Sequence, residues 1–238
     1  RAIILAAGKA ERLPNKLLLP QHNLSPVIMS SVIYAQMLLK SVNGNADDTK
    51  PIVVVDTPGS LVHLFLKRCY ADSLEYVFQY PRNRILEHMS GVCGALLTAW
   101  SPLYGDDEFY VLCGDNIYPS FDAMHLPTER GAVCRSVSVD EACDLVTWEP
   151  TKWQRGLGSR EGSHSSEYLA LTTPWMLTSV DFQMLTHGLS SGTLMYDSVV
   201  EWFNLMQMRP YVVKRGEWRD MGRSSSAIAY WELTDEQT

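Results

Sequence analysis

Arg12 and Lys16 stand four residues apart, directly after the apolar run AIILAA at 2–7 and Gly8. A glycine turn behind a strand lets backbone N–H groups face a phosphate. Arg12 can grip phosphate oxygens with its planar fork, and Lys16 can act as a point charge. An ordinary strand-to-helix turn with two solvated cations has the same pattern. Two better-known phosphate loops are excluded: Gly-x4-Gly-Lys-Ser/Thr is absent, and Gly8 lacks the two partner glycines of the dinucleotide fingerprint. A second candidate is VLCGDNIY at 111–118, where an apolar run ends in Gly114 and Asp115. A carboxylate at a strand end is placed to hold Mg²⁺ beside a triphosphate, although Asp-Asn also favours a local turn bond. The third is Asp220 within GEWRDMGR at 216–223, equally readable as a turn acid or a helix N-terminal acid. The fourth pairs Gln79 in FQYP with Gly91 and Gly94 in SGVCGALLTAW. A side-chain amide offers the donor and acceptor that a base edge needs, and glycines let a flat ring approach the backbone. Surface exposure of the amide and close helix packing of the glycines are the plainer alternatives.

These groups work together only if the chain folds them to one place. Strand-like and helix-like segments alternate through the first half. Residues 2–7 read as a buried strand. A helix follows Pro26, with Ile28, Val32, Ala35 and Leu39 on one stripe. IVVVD at 52–56 is apolar throughout, as a strand covered on both faces requires. A helix over 60–71, a strand over 74–80, a small-residue helix over 91–100 and a strand over 109–115 complete the series. The repetition predicts an α/β fold with a parallel sheet and helices on both faces. Ligands then bind beyond the carboxyl ends of the strands, where Gly8 and Asp115 both fall.

The second half is less regular. AVCRSVSV, LVTW and YLALTTPWML read as strands, and 151–166 reads as a mobile Gly/Ser-rich loop. A helix over 196–208, a strand in YVVKRGEW and a closing helix over 224–233 follow. The expected organisation is one domain with a lobe inserted at about 117–195.

Composition narrows the partners. A net charge of −7 disfavours broad nucleic-acid binding, but the local cluster Lys9, Arg12 and Lys16, with only Glu11 opposing it, can still attract a small anion. Five cysteines without close pairs argue against a disulfide framework or a zinc ribbon, and a cytoplasmic setting is expected. The six histidines form no ligand pair at helical spacing. No apolar run has the length of a membrane span, and no signal-peptide pattern opens the chain.

Taken in order, AIILAAGKAERL with Lys16, SGVCGALLTAW, VLCGDNIY, LMYDSVVEWF and EWRDMG followed by SAIAYWEL resemble the sugar-1-phosphate nucleotidyltransferases. The likeness is to the glucose-1-phosphate thymidylyltransferase and uridylyltransferase branch in particular, and it covers nearly the whole chain. The resemblance implies a Rossmann-like, mixed, mainly parallel sheet of the nucleotide-diphospho-sugar transferase type. It implies Mg²⁺-dependent transfer of a nucleotide from dTTP or UTP to a sugar 1-phosphate, with pyrophosphate released. Ala6, Ala7, Gly8, Arg12 and Lys16 would hold the triphosphate, and Gln79 and Gly91 would meet the base. Glu161 and Thr173 would face the sugar, and Asp115 and Asp220 would bind Mg²⁺. Arg12, Lys16 and Asp115 would carry the catalysis. Dimers and tetramers are common among similar proteins, so a homo-oligomer fits as well. The chain departs from the family pattern at Ala10 for a glycine, at Glu11 for a threonine, and in the short Arg12–Lys16 spacing. That spacing is nearer to the molybdenum-cofactor nucleotidyltransferases. The departures keep open a non-sugar phosphate acceptor, or a non-catalytic nucleotide or nucleotide-sugar sensor of the same fold.

Overall fold

The computed structural model describes residues 1–7, 16–20, 25–43, 50–79, 91–101, 105, 108–118, 126–143, 145–149, 151–156, 168–213 and 219–220. Gly8, Ala10, Glu11, Arg12, Glu161 and the helix expected over 224–233 lie outside the described residues. In chain order the elements are β1 (Ala2–Leu5), α1 (Val27–Asn43), β2 (Ile52–Val55), α2 (Leu61–Tyr70), β3 (Glu75–Phe78) and α3 (Val92–Ala99). Then come β4 (Glu108–Cys113), β5 (Asn116–Ile117), β6 (Gly131–Val137), α4 (Val139–Ala142), β7 (Val146–Glu149) and β8 (Lys152–Arg155). The last are β9 (Tyr168–Thr178), α5 (Ser179–Ser190), α6 (Val199–Leu205), β10 (Arg209–Val213) and β11 (Arg219–Asp220). Lys16–Leu18 and Ala71–Ser73 form single 3₁₀ turns.

The main sheet runs β10-β6-β9-β4-β1-β2-β3, with the β7–β8 hairpin attached through β9. Strands β4, β1, β2 and β3 are parallel. Strand β9 is antiparallel to both β4 and β6, so the sheet is mixed rather than parallel throughout. With 11 residues, β9 pairs with β4 through its second half and with β7 through its first. Strands β6 and β9, from the segment 117–195, thus continue the same sheet as β1 to β4.

Side chains alternate across a strand, so an all-apolar strand feeds two cores. Ile3, Ile52, Val54, Phe109 and Val111 join α3, α5 and α6 on one face. Ala2, Ile4, Val53, Val55 and Leu112 join α1 and α2 on the other. The stripe Ile28, Val32, Ala35 and Leu39 is buried as the helical period requires. Each large aliphatic side chain so buried contributes about 1.5–3 kcal/mol. No helix among the described residues is long and apolar enough to cross a membrane.

Several segments differ from the sequence reading, among them the short elements β5, α4 and β11. Residues 152–155, expected within a loop, form β8. The helix expected over 196–208 is confined to Val199–Leu205. Ahead of it, the Tyr196 carbonyl accepts the Cys93 N–H at 3.1 Å, at the start of α3. Helix α5 was not anticipated.

Candidate functional site

Parallel pairing brings strand ends level. Leu5 stands opposite Cys113, and Leu5 also stands opposite Val54. Ala6, Gly114 and Gln79 therefore emerge at one edge of the sheet, with Ala6 N–H donating to the Val54 carbonyl at 2.8 Å and Gln79 N–H to the Val55 carbonyl at 2.9 Å. This is the carboxyl edge that open α/β sheets use for ligands. Ala6 is buried and Ala7 half-buried.

Gly114 turns the chain tightly against β1. Its N–H donates to the Leu5 carbonyl at 2.9 Å, and a Cβ there would sit 2.9 Å from the same oxygen and 2.8 Å from Ile28 Cδ1. The turn presents Asp115, whose Oδ2 accepts a hydrogen bond from Lys16 Nζ. Both side chains keep part of their surface in solvent, 24 % for Lys16 and 20 % for Asp115. Lys16 and Asp115, widely separated in sequence, thus form one charge pair.

After Asp115 the chain enters β5, which pairs antiparallel with β11. Asn116 stands opposite Asp220, and Ile117 opposite Arg219. The backbone of Asp220 is therefore one register position from Asp115. Among the described residues no group of three or more His, Cys, Asp or Glu side chains lies together as a ready metal cluster.

Gln79 and Gly91 meet each other. Gln79 is buried, and its Nε2 donates to the Gly91 carbonyl at 3.0 Å. Gly91 caps α3 with φ +104°, which side-chain-bearing residues seldom adopt, and a Cβ there would lie 2.6 Å from the Tyr196 carbonyl oxygen. Gly94 is buried inside α3. Gly91→Ala is expected to destabilise the fold by about 2 kcal/mol or more, since left-handed strain alone costs about 1–2 kcal/mol. A urea midpoint equal to the parent's rules that out. With strands about 4.8 Å apart, the ends of β3 and β4 are about 14 Å apart across β2 and β1, so this edge suits an elongated ligand.

Thr173, expected to face a sugar, is buried, and its hydroxyl is occupied from inside the fold. It accepts the Asn116 Nδ2 hydrogen at 2.8 Å and the Cys113 N–H at 3.3 Å, and bonds the Tyr118 phenol. Burial pushes the Tyr118 phenol well above its usual range, so it stays protonated. Its ring stacks on Tyr34 with centroids 4.4 Å apart. Ser31 of α1 donates to the carbonyls of Cys113 at 2.8 Å and Asn116 at 3.3 Å. Cys93, in the first turn of α3, is buried, and burial first, then the nearby Asp197 and Glu201, raise its thiol to about 12, which disfavours the thiolate.

The structure thus gathers Ala6, Ala7, Lys16, Asp115 and the backbone of Asp220 at one edge, with Gln79 and Gly91 further along it. Asn116, Ser31 and Tyr118 were not singled out from sequence. Ser31 carried a signal, since it interrupts the apolar stripe of α1 three residues after Ile28.

No protein-family model and no curated protein sequence matches the chain. Solved structures do. One is a Bacillus anthracis protein assigned as a glucose-1-phosphate thymidylyltransferase, in complex with sucrose. It is 21 % identical with a TM-score of 0.66, covering 98 % of this chain and 94 % of that one. Another is the CTP:phosphocholine cytidylyltransferase of Streptococcus pneumoniae, 17 % identical with a TM-score of 0.58, covering 100 % and 99 %. The chain therefore shares the mixed-sheet α/β fold of these two structures.

Proposed function

We propose that this protein is a Mg²⁺-dependent nucleotidyltransferase that joins a nucleoside triphosphate, dTTP or UTP favoured, to a sugar 1-phosphate. The observation that carries the reading is the Lys16–Asp115 pair at the shared carboxyl edge of β1 and β4. Both structures described above, from proteins whose names denote nucleotidyl transfer, support it.

The residues fit an oxygen-held divalent cation. Asp115 already holds a positive charge on one oxygen, and Asp220 is one register position away. Asp115 and Asp220 would hold Mg²⁺, which when bound supplies charge neutralisation on the phosphates. An acceptor phosphate oxygen attacks the α-phosphorus in line, the bond to the bridging oxygen breaks, and pyrophosphate leaves. Two anions must be aligned, so Lys16 and Arg12 bind phosphate oxygens and offset the charge that develops. Gln79, fixed by its bond to Gly91, would meet the base with Gly91. The protein would act in the cytoplasm without nucleic acid or membrane, and a homo-oligomer is compatible with this activity.

In the free protein Lys16 sits on Asp115, so it competes with a divalent cation there. Lys16→Ala is expected to lower kcat/KM roughly tenfold to hundredfold, the effect of one charged hydrogen bond. The same variant is expected to bind Mg²⁺ more tightly before triphosphate is added. Unchanged kcat/KM removes Lys16 from the reaction.

A second reading changes the acceptor. The cytidylyltransferase named above has phosphocholine in its name, which supports a non-sugar phosphate acceptor on this fold. Pyrophosphate release, measured over dTTP, UTP, CTP, ATP and GTP crossed with glucose 1-phosphate and phosphocholine, separates the two. Absence of release in every combination rejects the enzyme reading in favour of a nucleotide sensor.

A further inference from the structure

The ladder between β4 and β9 stops early, and a side chain takes over. The register pairs Val111 with Trp175, so Leu112 and Cys113 would next face Pro174 and Thr173. Proline has no N–H to contribute, and the backbone pairing ends there. The Cys113 N–H instead finds the Thr173 hydroxyl at 3.3 Å. The same oxygen accepts from Asn116 Nδ2 at 2.8 Å. A hydroxyl has two acceptor positions and one proton. The same hydroxyl also bonds the Tyr118 phenol, a pair in which either oxygen can donate.

The two residues held by Thr173, Cys113 and Asn116, bracket Gly114 and Asp115. Ser31, fully buried on α1, binds the carbonyls of the same two residues. The turn is thus held at both ends from two elements, and Asp115 is its outward residue. We propose that Thr173 is a positioning residue for Asp115: its hydroxyl, with that of Ser31, fixes the 113–116 turn at the place from which the carboxylate holds its cation. The assignment rests on the reading of Asp115 as a cation ligand, and it replaces sugar contact as the role of Thr173.

Thr173→Val keeps the side-chain volume and removes the hydroxyl; Thr173→Ser keeps the hydroxyl and loses a methyl. Two readouts apply to the protein without nucleotide: Mn²⁺ affinity by electron paramagnetic resonance, and hydrogen exchange in the peptide covering 113–118. Thr173→Val is expected to weaken Mn²⁺ about tenfold, as one lost buried hydrogen bond would, and to speed exchange in that peptide. Thr173→Ser is expected to restore both to within about twofold, which loss of packing alone would not do. Parent-like Mn²⁺ affinity and exchange in Thr173→Val overturn the proposal. If that variant does not fold, Tyr118→Phe carries the test, because it removes the phenol oxygen that bonds the Thr173 hydroxyl. A smaller shift in the same direction supports the proposal, and no shift overturns it. A parent protein that binds no Mn²⁺ overturns the cation reading itself, a failure distinct from that of the clamp.

Discussion

Asp115→Ala is expected to lower kcat for pyrophosphate release by roughly a hundredfold to a thousandfold while leaving the protein folded. Removal of one preorganised electrostatic group from a reaction centre typically costs about 2.7–4 kcal/mol of barrier. On the proposed function Asp115 would be such a group, because the turn that carries it is fixed three ways: by the Gly114 N–H on the Leu5 carbonyl, by Ser31 and by Thr173. It would therefore lose little on meeting a cation. The stability cost is small for a separate reason. The pair with Lys16 is partly solvated, and exposed pairs are worth about 0–1 kcal/mol. Asp115→Asn sharpens the test, since it keeps the size and loses the charge, and it should fall nearly as far as the alanine variant. Turnover within a few fold of the parent in both variants would reject Asp115 as a catalytic group. The measurement pairs a coupled pyrophosphate assay with a thermal melt of the same samples.

The elements legible in sequence were those with a local pattern. Strands β1, β2 and β4 could be read from their apolar runs, and the runs' ends pointed to Asp115 and Lys16, which the fold brings into one charge pair. What stayed hidden depends on partners far away in the chain. Strand β8 lies where glycine and serine suggest a loop, yet its Trp153 is buried and its indole N–H reaches the Met208 carbonyl at 2.8 Å. Asn204 of α6 accepts the Trp153 N–H at 2.7 Å and donates to the Trp153 carbonyl at 2.9 Å. A side-chain amide there stands in for a neighbouring strand, and no local pattern announces that. The inward hydrogen bonds of Thr173 were hidden likewise, because they depend on β9 running antiparallel beside β4. Strand direction is not written in the period of a strand. Helix α5 did carry a local signal, Thr178 and Asp181 at capping-box spacing ahead of Phe182 and Leu185.

That capping box supplies the second large effect, on stability. Asp181 is fully buried. Its Oδ2 accepts the Thr178 N–H at 2.8 Å and bonds the Thr178 hydroxyl at 3.0 Å. Its Oδ1 lies 3.2 Å from Arg130 Nη1, an ion pair without hydrogen-bond alignment, and Arg130 Nη2 donates to the Met206 carbonyl. One carboxylate therefore ties the start of α5, the entry to β6 and the end of α6. Asp181→Ala is expected to cost about 3 kcal/mol, the low end for breaking a buried pair, because Arg130 keeps access to water. At about 2–4 °C per kcal/mol for a chain of this size, the melting temperature falls by about 6–12 °C. Asp181→Asn keeps an acceptor for Thr178 and should lose less. Turnover per folded molecule should not change. Thr178 pairs with Glu108 at the amino end of β4, and the length of that strand, about 17 Å, separates it from Asp115. The two carboxylates are thus opposite in kind: Asp115 is partly solvated and is proposed to hold charge for a reaction, whereas Asp181 is sealed and holds three elements together. A melting temperature within about 2 °C of the parent for Asp181→Ala would show that the sealed carboxylate holds nothing. Lost turnover in samples that circular dichroism shows to be folded would show that the two ends of β4 are not independent.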